Sequence, residues 1–279
     1  MPLPTDFDID EFVSRILAED LGKGGDVTSN ATIPADARFT AAMNCRQRIV
    51  LAGIELAAAF FRALDPKVEI ELLASDGDLL VHGTTLMRLS GNARAMLSAE
   101  RSALNTLQHL SGVATLTRRY VDAIEGTGAI LLDTRKTLPG LRALEKYATR
   151  MGGAQNHRMR LDDGVLIKDN HIAACGGVAE AVRAAKSANT ALQVQVEVDR
   201  TDQIEPALEA GADRLLLDNM DPAKLREAVA LTGGRVPLEA SGGVTLETIR
   251  FLAETGVNYV SVGRITQSAP AVDIGLDFS

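Results

Sequence analysis

The chain has 279 residues, 46% of them hydrophobic, with 29 Lys and Arg against 37 Asp and Glu and a net charge of -8. That acidity excludes the basic footprint of a nucleic-acid binder, and no apolar run reaches the roughly 18 residues of a membrane span. The opening MPLPTDFDIDEF lacks the charged-then-apolar layout of a signal peptide, so a cytoplasmic protein is expected. Cys45 and Cys175 are far apart and outside any C-x-x-C spacing, which indicates neither a disulfide framework nor a zinc site.

Phe12, Val13, Ile16 and Leu17 recur at helical spacing and predict a helix over 10–20, followed by a glycine-broken loop, LGKGGDVTS. From Thr40 to Leu89, FTAAMNCRQ, KVEIELLAS and TTLMRLSG alternate like strands, with GIELAAAFFRAL between them as a helix. This predicts a small α+β unit with a partly antiparallel sheet. A long helical region follows over 93–124, its apolar stripe carried by Leu97, Leu104, Leu107 and Leu110, with Gly112 as the expected break. Arg101 lies on or beside that stripe. Either its stem runs along the surface or its charge meets an anion, one from another chain included.

Beyond Gly128 short apolar strands alternate with amphipathic helices. The strands are AILLDTR, GVLIKDNH, QVQVEVD, RLLLDN, PLEASGG and NYVSVG. Glu197, Asp218, Ser241 and Gly263 end successive strands 21, 23 and 22 residues apart, one βα unit each. Such repeats imply a parallel sheet. Six strands fall short of the eight of a complete barrel, so the expectation is α/β: an incomplete parallel α/β barrel, with an open doubly wound sheet as the alternative. The predicted boundary puts the N-terminal α+β sandwich domain and the long helix in 1–110 and the barrel in 111–279, the last residues returning to the first domain.

Each barrel strand delivers a polar group at its C-terminal end: Asp133 and Arg135, Lys168 and Asn170, Glu197, Asp218 and Asn219, then Ser241 and Gly242. In a parallel barrel those ends meet at one mouth, where active sites are built. Glu197 and Asp218 suit Mg²⁺ shared with substrate phosphates, ribose hydroxyls, or a salt bridge within the mouth. ASGGVT places Gly242 and Gly243 where backbone N–H groups and a helix N-terminus can accept phosphate, with Gly263 ending the next strand. Between Asp133 and His171 stand eight Lys and Arg against five Asp and Glu, a net +3 within an acidic chain. Arg135, Lys136, His157, Arg158 and Lys168 there offer a second anion-binding surface, suited to two carboxylates on a flat ring. Competing uses are a Schiff base on Lys168, as in an aldolase-type lyase, a metal on His157 and His171 without a supporting motif, and noncatalytic binding of a sugar phosphate.

The motifs EDLGKGGDVTS, AERSALNTLQHLSGVAT, DTRKTLPGLRALEKYA, GGAQNHR, LIKDNHI, EVD, LLDN and ASGG occur in this order along most of the chain. Together they closely resemble the quinolinate phosphoribosyltransferase family, also called carboxylating nicotinate-nucleotide pyrophosphorylases, which serve NAD biosynthesis. The resemblance implies an N-terminal sandwich, an incomplete barrel, and a homodimer that completes each active site across its interface and assembles further in some cases. Arg101 resembles the arginine that reaches the neighbouring subunit's site. Arg135, His157, Arg158 and Lys168 match the quinolinate-binding cluster. Lys136, Glu197, Asp218, Ser241, Gly242 and Gly263 match the side that holds phosphoribosyl pyrophosphate and Mg²⁺. His171 and Asn170 lie in the matching KDNH segment without separable roles.

The reaction so implied joins the quinolinate nitrogen to the anomeric carbon, expels pyrophosphate and releases the 2-carboxylate as CO₂. Lys136, Lys168, Glu197 and Asp218 are its candidate catalytic residues. Three positions depart from the family pattern: Ala154 and Arg160 stand where small or neutral residues are common, and Leu138 replaces a commoner polar residue. A paralogous group associated with molybdenum transport shares many of these motifs, but Arg101, Arg135 and the NHR triplet together favour a dicarboxylate.

Overall fold

The computed structural model describes residues 7–188 and 191–278. The chain divides into two compact units, the first taking residues up to Arg118, Ala143–Gly153 and the chain from Ser268, the second taking Arg119–Arg142 and Ala154–Gln267. The first break between the units, at Arg118, lies within the long helix.

In the first unit, α1 (Ile9–Leu21) starts at Asp8, whose carboxylate accepts from Glu11 N, and buries Phe12, Val13 and Leu17. The predicted loop after it is shorter than expected. Asp26 caps a further helix, α2 (Val27–Thr32), by accepting from Ser29 N, the role that frees this residue type from helix interiors. Strands β1 (Arg38–Cys45) and β2 (Ile49–Val50) lead to α3 (Ile54–Leu64). β3 (Glu69–Leu72), β4 (Leu79–Leu80) and β5 (Thr85–Asn92) then precede α4 (Ala93–Ala123). The antiparallel sheet has the order β12-β1-β5-β3, its edge strand β12 being Ile274–Phe278 at the far end of the sequence.

α4 organises this unit through its polar residues as much as its leucines. Ser111 Oγ accepts from Ala52 N and Thr115 Oγ1 from Val50 N, while Gln108 Nε2 donates to Ile274 O and Gln108 O accepts from Val272 N. Gly112 does not break the helix. A Cβ there would stand 2.2 Å from Pro270 O, so the glycine admits the returning chain. Arg101 is exposed, beside the buried Ser102, Ala103 and Leu104, and thus lies off the apolar stripe rather than within it.

α5 (Arg142–Met151), which the alternation pattern left without an element, belongs to the first unit almost entirely. Glu145 and Lys146 are fully buried on it, and His109 Nε2 of α4 lies 2.8 Å from Glu145 Oε1. Gly152 lets its C-terminal end approach α4, where a Cβ would meet Ala114 O at 2.5 Å.

The second unit holds six parallel strands: β6 (Ile130–Leu132), β7 (Val165–Ile167), β8 (Val194–Val198), β9 (Arg214–Asp218), β10 (Leu238–Ser241) and β11 (Tyr259–Ser261). Helices α6 (Asp169–Cys175), α7 (Val178–Ser187), α8 (Ile204–Glu209), α9 (Pro222–Thr232) and α10 (Ile249–Ala253) alternate with them, and α11 (Arg264–Gln267) follows β11. The order β6-β11-β10-β9-β8-β7 sets the first strand against the last. A doubly wound sheet instead reverses its strand order at an internal switch point, so the wrap-around order is that of a barrel left open between β6 and β7. Gln155 partly fills the opening by bridging in parallel to Leu132. Val194, Val196 and Val198 on β8 and Leu215 and Leu217 on β9 are buried, as a sheet covered on both faces requires.

Gly112→Ala is expected to destabilise the chain by about 1–3 kcal/mol, because its methyl meets backbone rather than a movable side chain. Denaturant unfolding followed by circular dichroism checks this; an unchanged midpoint rules out the close approach.

Candidate active site

Two residues of the same strand two positions apart share a face, and this period builds the site in layers. Gln195 and Glu197 on β8, Arg214, Leu216 and Asp218 on β9, Glu239 and Ser241 on β10, and Tyr259 and Ser261 on β11 occupy such positions. The upper members surround a cavity of about 690 Å³ beyond the C-terminal strand ends, its lining including Glu197, Asp218, Ser241 and Ser261. Below, Gln195 and Glu239 are buried, and Gln195 Nε2 donates to Glu239 Oε2 at 2.8 Å.

Eleven predicted residues line this cavity together: Arg135, Lys136, His157, Arg158, Lys168, Glu197, Asp218, Ser241, Gly242, Gly243 and Gly263. Arg101 lies on α4 in the first unit, exposed. His171 is exposed outside the lining, where its Nδ1 accepts from Lys168 N at 2.9 Å and caps α6. The KDNH segment therefore turns into a helix immediately after Lys168 instead of extending the strand.

Only half of the predicted positive segment serves the cavity. Lys146 is buried and Arg150 stands over Tyr147 in the first unit, while Arg160 is exposed and pairs with Asp162. The departing positions also lie elsewhere: Ala154 is buried, Leu138 and Arg160 are exposed, and none of the three lines the cavity.

Asp133, fully buried at the end of β6, holds the segment that carries the cations. Its Oδ1 accepts from His157 N at 2.8 Å and its Oδ2 from Asn156 Nδ2 at 2.5 Å. Next to it, Asp133 N donates to Gln155 O and Gln155 N to Leu131 O. Arg158 Nη1 reaches Gly164 O at 2.9 Å. Burial, and then the positive charge of Arg135, hold the Arg158 guanidinium below its ordinary pKa, with Asp163 opposing them. Arg135 Nε is buried with no hydrogen-bond partner among the described residues. Two cations held close with an unmet donor favour an anion between them.

Elsewhere in the lining, Lys168 Nζ donates to Glu197 Oε2 at 2.8 Å, and Asn219 Nδ2 donates to Asp218 Oδ2 at 2.7 Å. Lys168 is half exposed and ion-paired with Glu197, not desolvated in the apolar pocket that activates a Schiff-base lysine. Gly242 at φ +98 and Gly243 at φ +58 turn the chain away from β10, and a Cβ on Gly242 would collide with Asn219. α10 begins only at Ile249, so the turn itself, rather than a helix end as expected, borders the cavity. Gly263 is needed for a different reason: the Lys136 side chain passes 2.8 Å from where its Cβ would be. Strand-end reasoning missed Thr134, Glu239, Thr245, Arg264 and Gln267, all in the lining, whereas Asn219, which it named, is there too. The period of two within PLEAS points to Glu239; nothing in the sequence pattern singles out Arg264.

A family model described as the C-terminal domain of quinolinate phosphoribosyl transferase matches residues 113–277, and the corresponding N-terminal domain model matches 26–111. The chain belongs to the quinolinate phosphoribosyltransferase family. It is 44% identical over 270 residues to a carboxylating nicotinate-nucleotide pyrophosphorylase of Mycobacterium leprae, covering 95% of each chain. Identity to a probable carboxylating nicotinate-nucleotide pyrophosphorylase of Bacillus subtilis is 41% over 268 residues, 96% of this chain and 92% of the other. The crystal structure of a nicotinate-nucleotide pyrophosphorylase from Ehrlichia chaffeensis matches with a TM-score of 0.95 at 38% identity, over 99% of this chain and 100% of that one. The sandwich-plus-incomplete-barrel fold expected from the motifs is thus the fold of the family.

Asp133→Asn replaces one acceptor of the 156–157 segment with a donor. It is expected to lower kcat/KM for the anionic ring substrate about ten-fold or more, mainly through KM. An unchanged KM in a folded variant removes Asp133 from the positioning of Arg158.

Proposed function

We propose that this chain transfers the phosphoribosyl group of phosphoribosyl pyrophosphate to quinolinate and decarboxylates the product, giving nicotinate mononucleotide, pyrophosphate and CO₂ in NAD biosynthesis. The observation that carries this reading is a single cavity lined by two chemically different sets of groups. One presents Arg135, with its unmet buried donor, beside Arg158; the other presents Glu197, Asp218 and the Gly242–Gly243 turn.

In the first set Arg135, Arg158 and Lys168 bind the two carboxylates, with His157 completing the pocket and His171 holding Lys168 through its main-chain N–H. In the second, Lys136 and the Ser241, Gly242, Gly243 and Gly263 backbone bind phosphate, the open space at Gly243 letting oxygens approach. The ring nitrogen bonds to the anomeric carbon as the bond to pyrophosphate oxygen breaks. Positive character developing on the sugar is met by Glu197 and Asp218. The ribosylated nitrogen then draws in the electrons left at C2 when CO₂ departs, C2 takes up a proton, and positioning supplies most of what that step needs.

The two carboxylates also fit Mg²⁺. Each has one oxygen engaged by Lys168 or Asn219, and hard oxygen donors of this number suit an ion that keeps waters and substrate phosphates as its other ligands. Among the described residues no cluster of three or more metal-binding side chains occurs, consistent with an ion that arrives with phosphoribosyl pyrophosphate. When bound it would neutralise the departing pyrophosphate. Arg101, exposed on α4, is available to reach the site of a partner copy in a homodimer. Among the described residues no helix is long and apolar enough to cross a membrane, and the proposed setting is the cytoplasm.

CO₂ release from 2-carboxyl-labelled quinolinate is expected only when protein, Mg²⁺ and phosphoribosyl pyrophosphate are all present. Release without phosphoribosyl pyrophosphate, or none from the folded protein, overturns the reaction. Arg101→Ala and Arg135→Ala are each expected to lack activity, and mixing them is expected to restore part of it through hybrid dimers. Failure of rescue with subunit exchange demonstrated by mass spectrometry removes the shared site.

A further inference from the structure

The floor of the cavity contains charge that the transfer chemistry does not use. Glu239 is fully buried, and three groups converge on its Oε2: Gln195 Nε2 at 2.8 Å, Arg214 Nη2 at 2.7 Å and His157 Nε2 at 3.4 Å. Arg214 in turn lies flat against the Tyr259 ring, 3.9 Å from its centre. The ion pair with Arg214 and the hydrogen bond from Gln195 Nε2 make Glu239 Oε2 an acceptor.

An ionised Glu239 dictates the orientation of everything attached to it. Gln195 must turn its NH₂ toward the carboxylate and therefore its Oε1 toward His157. That oxygen lies 3.1 Å from His157 Nε2, which must then carry a proton. The other ring nitrogen faces a donor, since Arg158 N donates to His157 Nδ1 at 2.8 Å. We infer that Glu239, acting through Gln195, is a positioning residue that fixes His157 as the neutral Nε2–H tautomer, so that His157 enters the site as an uncharged wall.

The surrounding charges leave this balance intact. Asp133 from β6 faces the His157 backbone but is engaged by His157 N and Asn156 Nδ2. Glu239 from β10 is shared with Arg214 from β9, and Arg158, adjacent in the chain, adds a positive charge, with Arg135 close to it. An imidazolium would have to turn an Nδ1–H against the Arg158 N–H, two donors face to face. Anion recognition in this wall then falls to Arg135, Arg158 and Lys168 alone.

The inference rests on His157 belonging to the dicarboxylate wall proposed above, but its test does not require turnover. Full-length protein labelled with ¹⁵N-histidine would be titrated from about pH 5.5 to 8.5, a window spanning the ordinary histidine pKa, and the His157 signals assigned by their loss in His157→Gln. The expected result is a protonated Nε2 and an unprotonated Nδ1 at neutral pH. Two protonated nitrogens near pH 6.5, or a proton on Nδ1, overturns the inference even if CO₂ is released normally. In Glu239→Gln the Gln195 amide is free to rotate, so His157 is expected to exchange between tautomers and kcat/KM for quinolinate to fall about ten-fold or more. A folded variant with an unchanged spectrum overturns the part assigned to Glu239. If that variant does not fold, the wild-type titration still decides the state of His157.

Discussion

Asp133 accepts from the main chain of His157 and the side chain of Asn156, and the cation cluster depends on those two bonds. Residues 155–158 follow a helix that belongs to the other compact unit, so no strand of their own holds them in the barrel. A buried carboxylate at the end of β6 supplies the fixed point, and the Gln155 bridge to Leu132 gives the segment its direction. With the backbone pinned, Arg158 and Arg135 are kept near each other at a cost that burial increases. An anion placed between them relieves a repulsion the fold maintains in its absence.

The barrel was legible because its sequence obeys two rules at once. Near-continuous apolar runs such as RLLLD mark strands buried on both faces, and the regular spacing of Glu197, Asp218, Ser241 and Gly263 marks one βα unit each. Polar residues at strand ends are legible for the same reason, since parallel strands bring equivalent ends together. What escaped this reading lies below or beside the rim. Glu239 and Gln195 sit inside apolar strands, where a polar residue has no exposed loop to advertise it, and their relation to His157 depends on cross-strand register. Arg264 enters the lining from the residue after Gly263 and follows no alternation.

Local charge counts proved a coarser guide than strand position. The segment from Asp133 to His171 reads as one positive block, yet α5 carries Lys146 and Arg150 into the other unit, and Arg160 spends its charge on Asp162. The error has a physical origin: sequence proximity averages over a helix whose faces and ends go to different places. Gly112 misled for a related reason. A glycine within a helix weakens it, but here its missing side chain admits residues 270–271, and the surrounding contacts outweigh the lost propensity.

The pairing of β12 with β1 has a consequence for biosynthesis. Residues 274–278 complete a sheet whose other strands lie between 38 and 92, whereas the six barrel strands are drawn from a continuous stretch between 130 and 261. As the polypeptide leaves the ribosome, the barrel has all its strands before the sandwich has its edge. Until residues 274–278 emerge, β1 presents an open row of hydrogen-bonding groups, the kind of edge that recruits a foreign strand. The second domain in sequence therefore has the means to mature first, and the first waits for its last strand.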